Sequence, residues 1–97
     1  MGDVVTDRTS NYDGSGSPET GATGPIIVTF SGTVDSTKKN HPVLNFYSRG
    51  GTADYVLTLQ MTSFGRYKIN LAAGDDFYFT ANGIGAGDSV DINWEYA

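Results

Sequence analysis

Residues 66–79, RYKINLAAGDDFYF, contain two apolar runs separated by a turn sequence. In the first run, apolar residues such as Tyr67 and Ile69 alternate with charged or polar ones. Alternate side chains of a strand lie on opposite faces of a sheet, so this run has one apolar face and one solvated face. Gly74 can adopt a positive φ in a turn, and Phe77 begins the second run. We interpret this stretch as a β-hairpin around which the domain is organised.

The same two-residue period recurs on both sides of the hairpin, and no segment has the 3.6-residue period of an amphipathic helix. We predict six strands, at residues 26–34, 43–48, 54–61, 66–71, 77–81 and 89–96. Turn sequences at residues 49–52 (RGGT) and 62–65 (TSFG) predict two further hairpins. Short strands separated by turns are typical of antiparallel folds. The sequence therefore predicts an all-β fold, a small antiparallel β-sandwich or jelly-roll-like barrel of about six strands.

The apolar positions of these strands form the predicted core. In the third strand, Tyr55, Leu57, Leu59 and Met61 are expected to share one face. The full predicted core is Val28, Phe30, Leu44, Phe46, Leu57, Leu59, Tyr67, Ile69, Leu71, Phe79, Val90, Ile92 and Trp94. A body of this size is marginal as an isolated folding unit, and the chain has no cysteine for a disulfide. We therefore expect support from a partner subunit, in a homo-oligomer for which a trimer is one option.

Residues 1–25 differ in composition from the rest of the chain. They are rich in Gly, Ser, Thr and Asp, and their only apolar pair is Val4 and Val5. Such a segment buries too little apolar surface to offset its ordering entropy. We predict an extended polar N-terminal arm at 1–25, outside the core, and a β-sandwich domain at 26–97. A disordered linker is the alternative to an arm that docks on a neighbouring subunit.

Binding to a partner is predicted at the arm and at exposed aromatic residues. The residues in this prediction are Val4, Val5, Arg8, Tyr12, Tyr47 and Tyr96. The formal net charge is −5, and no basic stripe is present for binding a phosphate backbone. No apolar run approaches the roughly 20 residues of a membrane-spanning helix. We therefore predict a protein partner, and neither nucleic acid nor membrane.

No catalytic signature stands out in the sequence. His41 is the only histidine, and a Ser-His-Asp arrangement would need it beside an exposed serine. Asp75 and Asp76 are adjacent, so in a strand they point to opposite faces and cannot readily share a substrate. We predict that the protein is not an enzyme.

A bound calcium ion is the strongest alternative to the prediction that the protein has no cofactor. It prefers several oxygen ligands from a flexible loop. Asp88 and Asp91 lie beside the glycine-rich loop at residues 82–87, and Asp13 with its neighbouring serines is the other candidate. Their spacing matches no known calcium loop, and the absence of cysteine excludes thiolate metal sites. We predict no cofactor and no tightly bound metal.

The turn Leu71-Ala72-Ala73-Gly74-Asp75, followed by an aromatic strand and a glycine loop, resembles the L-x-x-G-D turn of C1q/TNF-like jelly-roll heads and of phage fibre or decoration proteins. The resemblance covers roughly residues 66–96. A polar arm before a cysteine-free β-body is also similar to small virion accessory proteins of tailed phages.

These resemblances imply a structural protein of a virion, made in the host cytoplasm without a signal peptide. Its partners would be the major capsid or other virion proteins. Its role would be that of a capsid decoration or cement protein whose arm clamps neighbouring subunits through several linked contacts. The alternative is a carbohydrate-binding or host-receptor-binding module, fibre-head or lectin-like, whose exposed aromatic rings stack on sugars.

Overall fold

Two four-stranded antiparallel sheets pack face to face in the computed structural model, which describes residues 2–51 and 54–97. The strands are β1 (Gly2–Arg8), β2 (Tyr12–Asp13), β3 (Ile26–Thr33), β4 (Val43–Gly50), β5 (Tyr55–Met61), β6 (Gly65–Ile69), β7 (Asp75–Asn82) and β8 (Ser89–Tyr96). The predicted all-β sandwich is confirmed, with eight strands among the described residues where the sequence predicts about six. Within these two ranges, no helix is long and apolar enough to cross a membrane.

The order of the strands is that of a jelly roll. One sheet has the order β1-β8-β3-β6 and the other has the order β2-β7-β4-β5. Strand β1 pairs with β8, β2 with β7, β3 with β6 and β4 with β5. A long hairpin that folds over on itself gives this set of pairs, which is the wrapping of the eight-stranded jelly roll.

The hairpin predicted between residues 66 and 79 is wrong, because its two strands belong to different sheets. Strand β6 pairs with β3, whereas β7 pairs with β4 and β2. Residues 70–74 cross between the sheets, so Ile69 and Phe77 contribute to the core from opposite sides. The turn at 62–65 likewise joins strands of different sheets. The hairpin between β4 and β5 is confirmed, although Thr52 of its predicted turn lies outside the described residues.

Residues of the arm belong to the sandwich, which corrects the prediction that they stay outside the core. Strand β1 lies beside β8, with Gly2 opposite Trp94, and β2 lies beside β7. Ala22 is buried with 2% of its surface exposed. Its carbonyl accepts the Gly74 N–H at 2.7 Å, and its own N–H donates to the Asp75 carbonyl at 2.8 Å. The arm therefore finds its hydrogen-bond partners and its apolar contacts within the same chain.

Most of the predicted core is confirmed. Phe46 lies at its centre, with ring centroids 5.9 Å from Phe77 and 5.5 Å from Phe79. Two predicted members, Leu57 and Tyr67, are only partly buried and pack against the core, whereas Leu59 is exposed at 39% because β5 lies at the sheet edge. The core residues that the sequence did not predict are Ala22, Ile26, Met61, Phe77, Ala81 and Ile84.

A β-bulge in β5 changes the face on which Tyr55 lies. Leu57 is opposite Ser48, but Tyr55 is opposite Arg49, so Val56 is an extra residue in the ladder. Such a bulge shifts the alternation of side chains by one position. The prediction that Tyr55 shares a face with Leu57 is therefore wrong, and Tyr55 lies on the outer face of the sheet.

Candidate binding face

Two tyrosines are stacked on the outer face of the sheet that contains β4 and β7. Tyr47 and Tyr78 are directly opposite each other in the ladder. Their ring centroids are 4.7 Å apart, and the angle between the ring planes is 19°. Their strand neighbours Phe46 and Phe79 point into the core, so alternation directs both tyrosines outward.

Tyr55 extends this pair to a cluster of three rings. Its centroid lies 5.8 Å from that of Tyr47 and 5.6 Å from that of Tyr78. The ring meets Tyr78 edge to face at 71°, which is a favoured geometry for aromatic pairs. Tyr55 is exposed at 47%, whereas Tyr47 and Tyr78 are half-buried. The bulge in β5 is what brings Tyr55 to this face.

Arg49 completes the cluster, and we call Tyr47, Tyr55, Tyr78 and Arg49 the tyrosine face. The guanidinium carbon lies 5.8 Å from the centroid of Tyr55, within the range of a cation–π contact. The Arg49 Nε lies 4.0 Å from Oδ2 of Asp76, a distance at the limit of an ion pair. The face therefore combines three phenol rings with one positive charge.

The phenol of Tyr78 stays neutral near physiological pH. Hydrogen bonding with Tyr55, burial and the neighbouring Tyr47, Tyr55 and Asp13 raise the pKa of Tyr78 to about 12. A neutral phenol both donates and accepts hydrogen bonds. Chemically, the face offers apolar ring surface, hydroxyl groups and a guanidinium.

Arg8 and Tyr12, predicted for partner binding, contact each other. The Arg8 guanidinium carbon lies 5.6 Å from the Tyr12 ring centroid. The guanidinium donates to the carbonyl of Ser10 at 2.8 Å and to that of Asn11. Tyr12 is half-buried, and burial raises the pKa of its phenol. These two side chains hold the turn between β1 and β2.

The remaining predicted residues do not join the tyrosine face. Val4 and Val5 are half-buried on β1 and pack against the core. Tyr96 is exposed at 41% on β8, in the other sheet, with its ring 5.1 Å from that of Trp94. The structure thus brings only Tyr47 of the predicted set to this face. A partner-binding role for the six residues stays a prediction.

The carboxylates considered for calcium have partners within the chain. Asp13 accepts the Ser15 N–H at 2.9 Å. Asp88 is exposed at only 2%, forms an ion pair with Lys38 and accepts the Asp35 N–H at 2.9 Å. The hydrogen bond from Lys38 lowers the pKa of Asp88 to about 2. Asp91 accepts the Asp7 N–H at 2.8 Å. Among residues 2–51 and 54–97, no group of three or more His, Asp or Glu side chains is placed to hold a metal, and the metal-free protein stays a prediction.

His41 lines an open pocket of about 250 Å³ at one end of the sandwich. The other lining residues are Val34, Pro42, Thr62, Ser63 and Phe64. The pocket thus has a histidine and a serine but no carboxylate in its lining, as far as the described residues go. A triad needs a third group to orient the histidine, so the pocket does not form one.

Comparison of the chain with family models, with curated proteins and with solved structures gave no match in any of the three.

Proposed function

We propose that the chain is a non-enzymatic structural protein of a virion, of the decoration or cement type, that attaches to its assembly through the tyrosine face. The observation that carries this proposal is the cluster of Tyr47, Tyr55 and Tyr78 with Arg49 on an outer sheet surface. Tyrosine and arginine are the residue types enriched at the energetic centres of protein interfaces.

The arrangement of the rings favours a protein partner over a sugar. Tyr47 and Tyr78 use one ring face each against the other, and Tyr55 packs its edge against Tyr78. The cluster is held in place before binding, which lowers the entropy that a partner must offset. Rigid phenols of this kind provide contact area and hydrogen bonds with few rotatable bonds.

In this proposal the arm does not clamp neighbouring subunits, which is the role that the sequence suggests for it. Its strands already pair with β7 and β8, so its backbone is engaged within the chain. The arm closes the sandwich, and the outer sheet carries the attachment surface. Jelly rolls occur in viral capsid proteins and in lectins, so the fold is compatible with the proposal but does not choose it.

Particles assembled without the chain provide the test. We expect Tyr55→Ala and Tyr47→Ala each to weaken binding to such particles by on the order of 30-fold, the effect of losing a hot-spot residue. Tyr96→Ala is the matched control, because it removes a half-exposed tyrosine from the other sheet. Equal binding by the Tyr55 and Tyr96 variants would remove the tyrosine face from the attachment.

A glycan-binding module is the second candidate, and the exposure of Tyr55 favours it. Nearly half of this side chain is open to solvent. Thr58 and Gln60 lie on the same outer face, since they are opposite Tyr47 and Asn45. They would supply hydrogen bonds to sugar hydroxyls. The test is a glycan array. Binding of the purified chain to a glycan, loss of that binding in Tyr55→Ala and no binding to the particles would together favour this candidate over the first.

A further inference from the structure

Strand β5 is a sheet edge that carries no charged residue. Its sequence, Tyr55–Met61, is YVLTLQM. An edge strand has a row of unpaired backbone N–H and C=O groups, and proteins usually protect such edges with charges, proline or very short strands. The length of seven residues and the neutral composition leave β5 without these protections.

The other three edge strands in the described ranges are protected. Strand β6 carries Arg66 and Lys68, and β2 is two residues long and carries Asp13. Strand β1 carries Asp3, Asp7 and Arg8, and its ladder is irregular at two places, whereas the single bulge of β5, at Val56, leaves Leu57–Met61 regular and uncharged. Of the four edge strands described, β5 is therefore the one that is open to pairing with another strand.

The regular part of β5 is short, and apolar side chains lie along the open edge of the sheet there. The bulge at Val56 ends the regular ladder, which leaves Leu57–Met61 with unbroken alternation. In this part Leu59 is opposite the buried Phe46, yet it is exposed at 39% because none of the described strands lies beyond β5. An additional strand at this edge would cover the exposed part of Leu59.

We propose that a second copy of this chain occupies the edge, with the two β5 strands pairing antiparallel about a two-fold axis at Leu59. In this register Leu59 is opposite its own counterpart, and Leu57 is opposite Met61, so the core-facing side chains meet apolar partners. On the outer face Thr58 is opposite Gln60, a polar pair. Matching of faces in this way is what fixes the register of a β-ladder.

The symmetry and the charge of the segment favour a second copy as the occupant. An isologous two-fold contact needs a surface that is complementary to itself, and Leu57–Met61 meets this condition when Leu59 is its centre. The chain has a net charge of −5, so two copies repel each other in general. The neutral edge allows contact without placing like charges opposite each other. The proposal does not rest on the tyrosine face, since Tyr55 lies beyond the bulge.

Disulfide cross-linking provides the first test, because the chain has no cysteine of its own. In Leu59→Cys, the two cysteines would be directly opposite, with Cα atoms about 4.5–5.5 Å apart, a separation that suits a disulfide. We expect a covalent dimer under mild oxidation. Val56→Cys is the matched control, because Val56 is more exposed, at 72%. In the proposed register its two copies lie roughly 20 Å apart, so it should not form a covalent dimer. Equal or faster cross-linking of Val56→Cys would overturn the proposal.

Sedimentation of the full chain provides the second test. We expect the mass to rise with concentration from 10.3 kDa towards twice that value, and to stop there because a two-fold contact closes. Leu59→Lys should shift the profile to monomer, and circular dichroism should show that this variant is folded, since Leu59 is partly exposed. Lys68→Glu, a charge change on the β6 edge, should leave the dimer intact. A monomer at all concentrations, a trimer, or a dimer unaffected by Leu59→Lys would each overturn the proposal.

Discussion

Replacement of Val4 and Val5 by serine tests whether β1 belongs to the folded body. Both valines are half-buried and pack against the core from the edge of the β1-β8-β3-β6 sheet. Full burial of a valine stabilises a fold by at least about 1.5 kcal/mol. Half of that for each residue predicts a loss of about 1–2 kcal/mol in the free energy of unfolding for the double variant.

That loss is large enough to measure by thermal unfolding. For a domain of this size, 1 kcal/mol corresponds to a shift in Tm of roughly 4–8 °C. We therefore expect Tm of the Val4→Ser, Val5→Ser variant to fall by about 5–15 °C. Thr6→Ser is the matched control on the same strand, because Thr6 is exposed, and its Tm should match that of the unmodified chain.

The result that would refute this reasoning is a double variant with the Tm of the unmodified chain. The outcome would mean that β1 leaves the sheet at little cost and that the arm is separable, as the composition of residues 1–25 suggests. A chain without residues 2–13 extends the test. Because the deletion removes one edge strand from each sheet, we expect a larger fall in Tm than in the double variant.

Three further predictions follow from the core, the buried carboxylate and the tyrosine face. Ile69→Asp should abolish folding, as monitored by circular dichroism, because it places an unpaired carboxylate at a position exposed at 2%, whereas Lys68→Asp on the exposed face should be mild. The pKa of Asp88 is lowered to about 2, so its contribution to stability is present above the unfolded pKa of about 4 and is lost as the pH falls towards 2. The Asp88→Asn variant should be less stable than the unmodified chain at neutral pH and should lose less stability as the pH falls through this range. Plots of unfolding free energy against pH with equal slopes for the two proteins would contradict this. Tyr55→Phe should lower the pKa of Tyr78 from about 12, as followed by the near-ultraviolet absorbance of tyrosinate, and an unchanged titration would exclude Tyr55 as the main cause.

The period-two pattern predicted the six strands β3 to β8, because each of them contains alternating apolar residues. The predicted strand at residues 89–96 coincides with β8. Strands β1 and β2 were missed because an edge strand needs few apolar residues, and β1 has only Val4 and Val5. Ala22 was missed for a similar reason, because a small side chain among polar residues gives no periodic signal.

Local alternation predicts a strand but not the strand beside it. The five residues between β6 and β7 suit a hairpin and equally suit a crossing between sheets, so residues 66–79 did not reveal which one forms. The same limit applies to the tyrosine face. Tyr47 was predicted to bind a partner, but its contact with Tyr78 depends on a register between strands 31 positions apart. The position of Tyr55 depends on a bulge that no local pattern predicts.

The jelly-roll wrapping also has a consequence for the order in which the chain folds. In the described part of the chain, β4 and β5 are the only paired strands that are consecutive in sequence. All other pairs join distant segments, and non-local pairing slows folding to roughly milliseconds to seconds. Strand β8 lies between β1 and β3, so the β1-β8-β3-β6 sheet cannot be completed until residues 89–96 have left the ribosome. During synthesis, β1 therefore stays unpaired until β8 has been made, and its charged, mostly polar sequence suits a segment that must stay soluble until then.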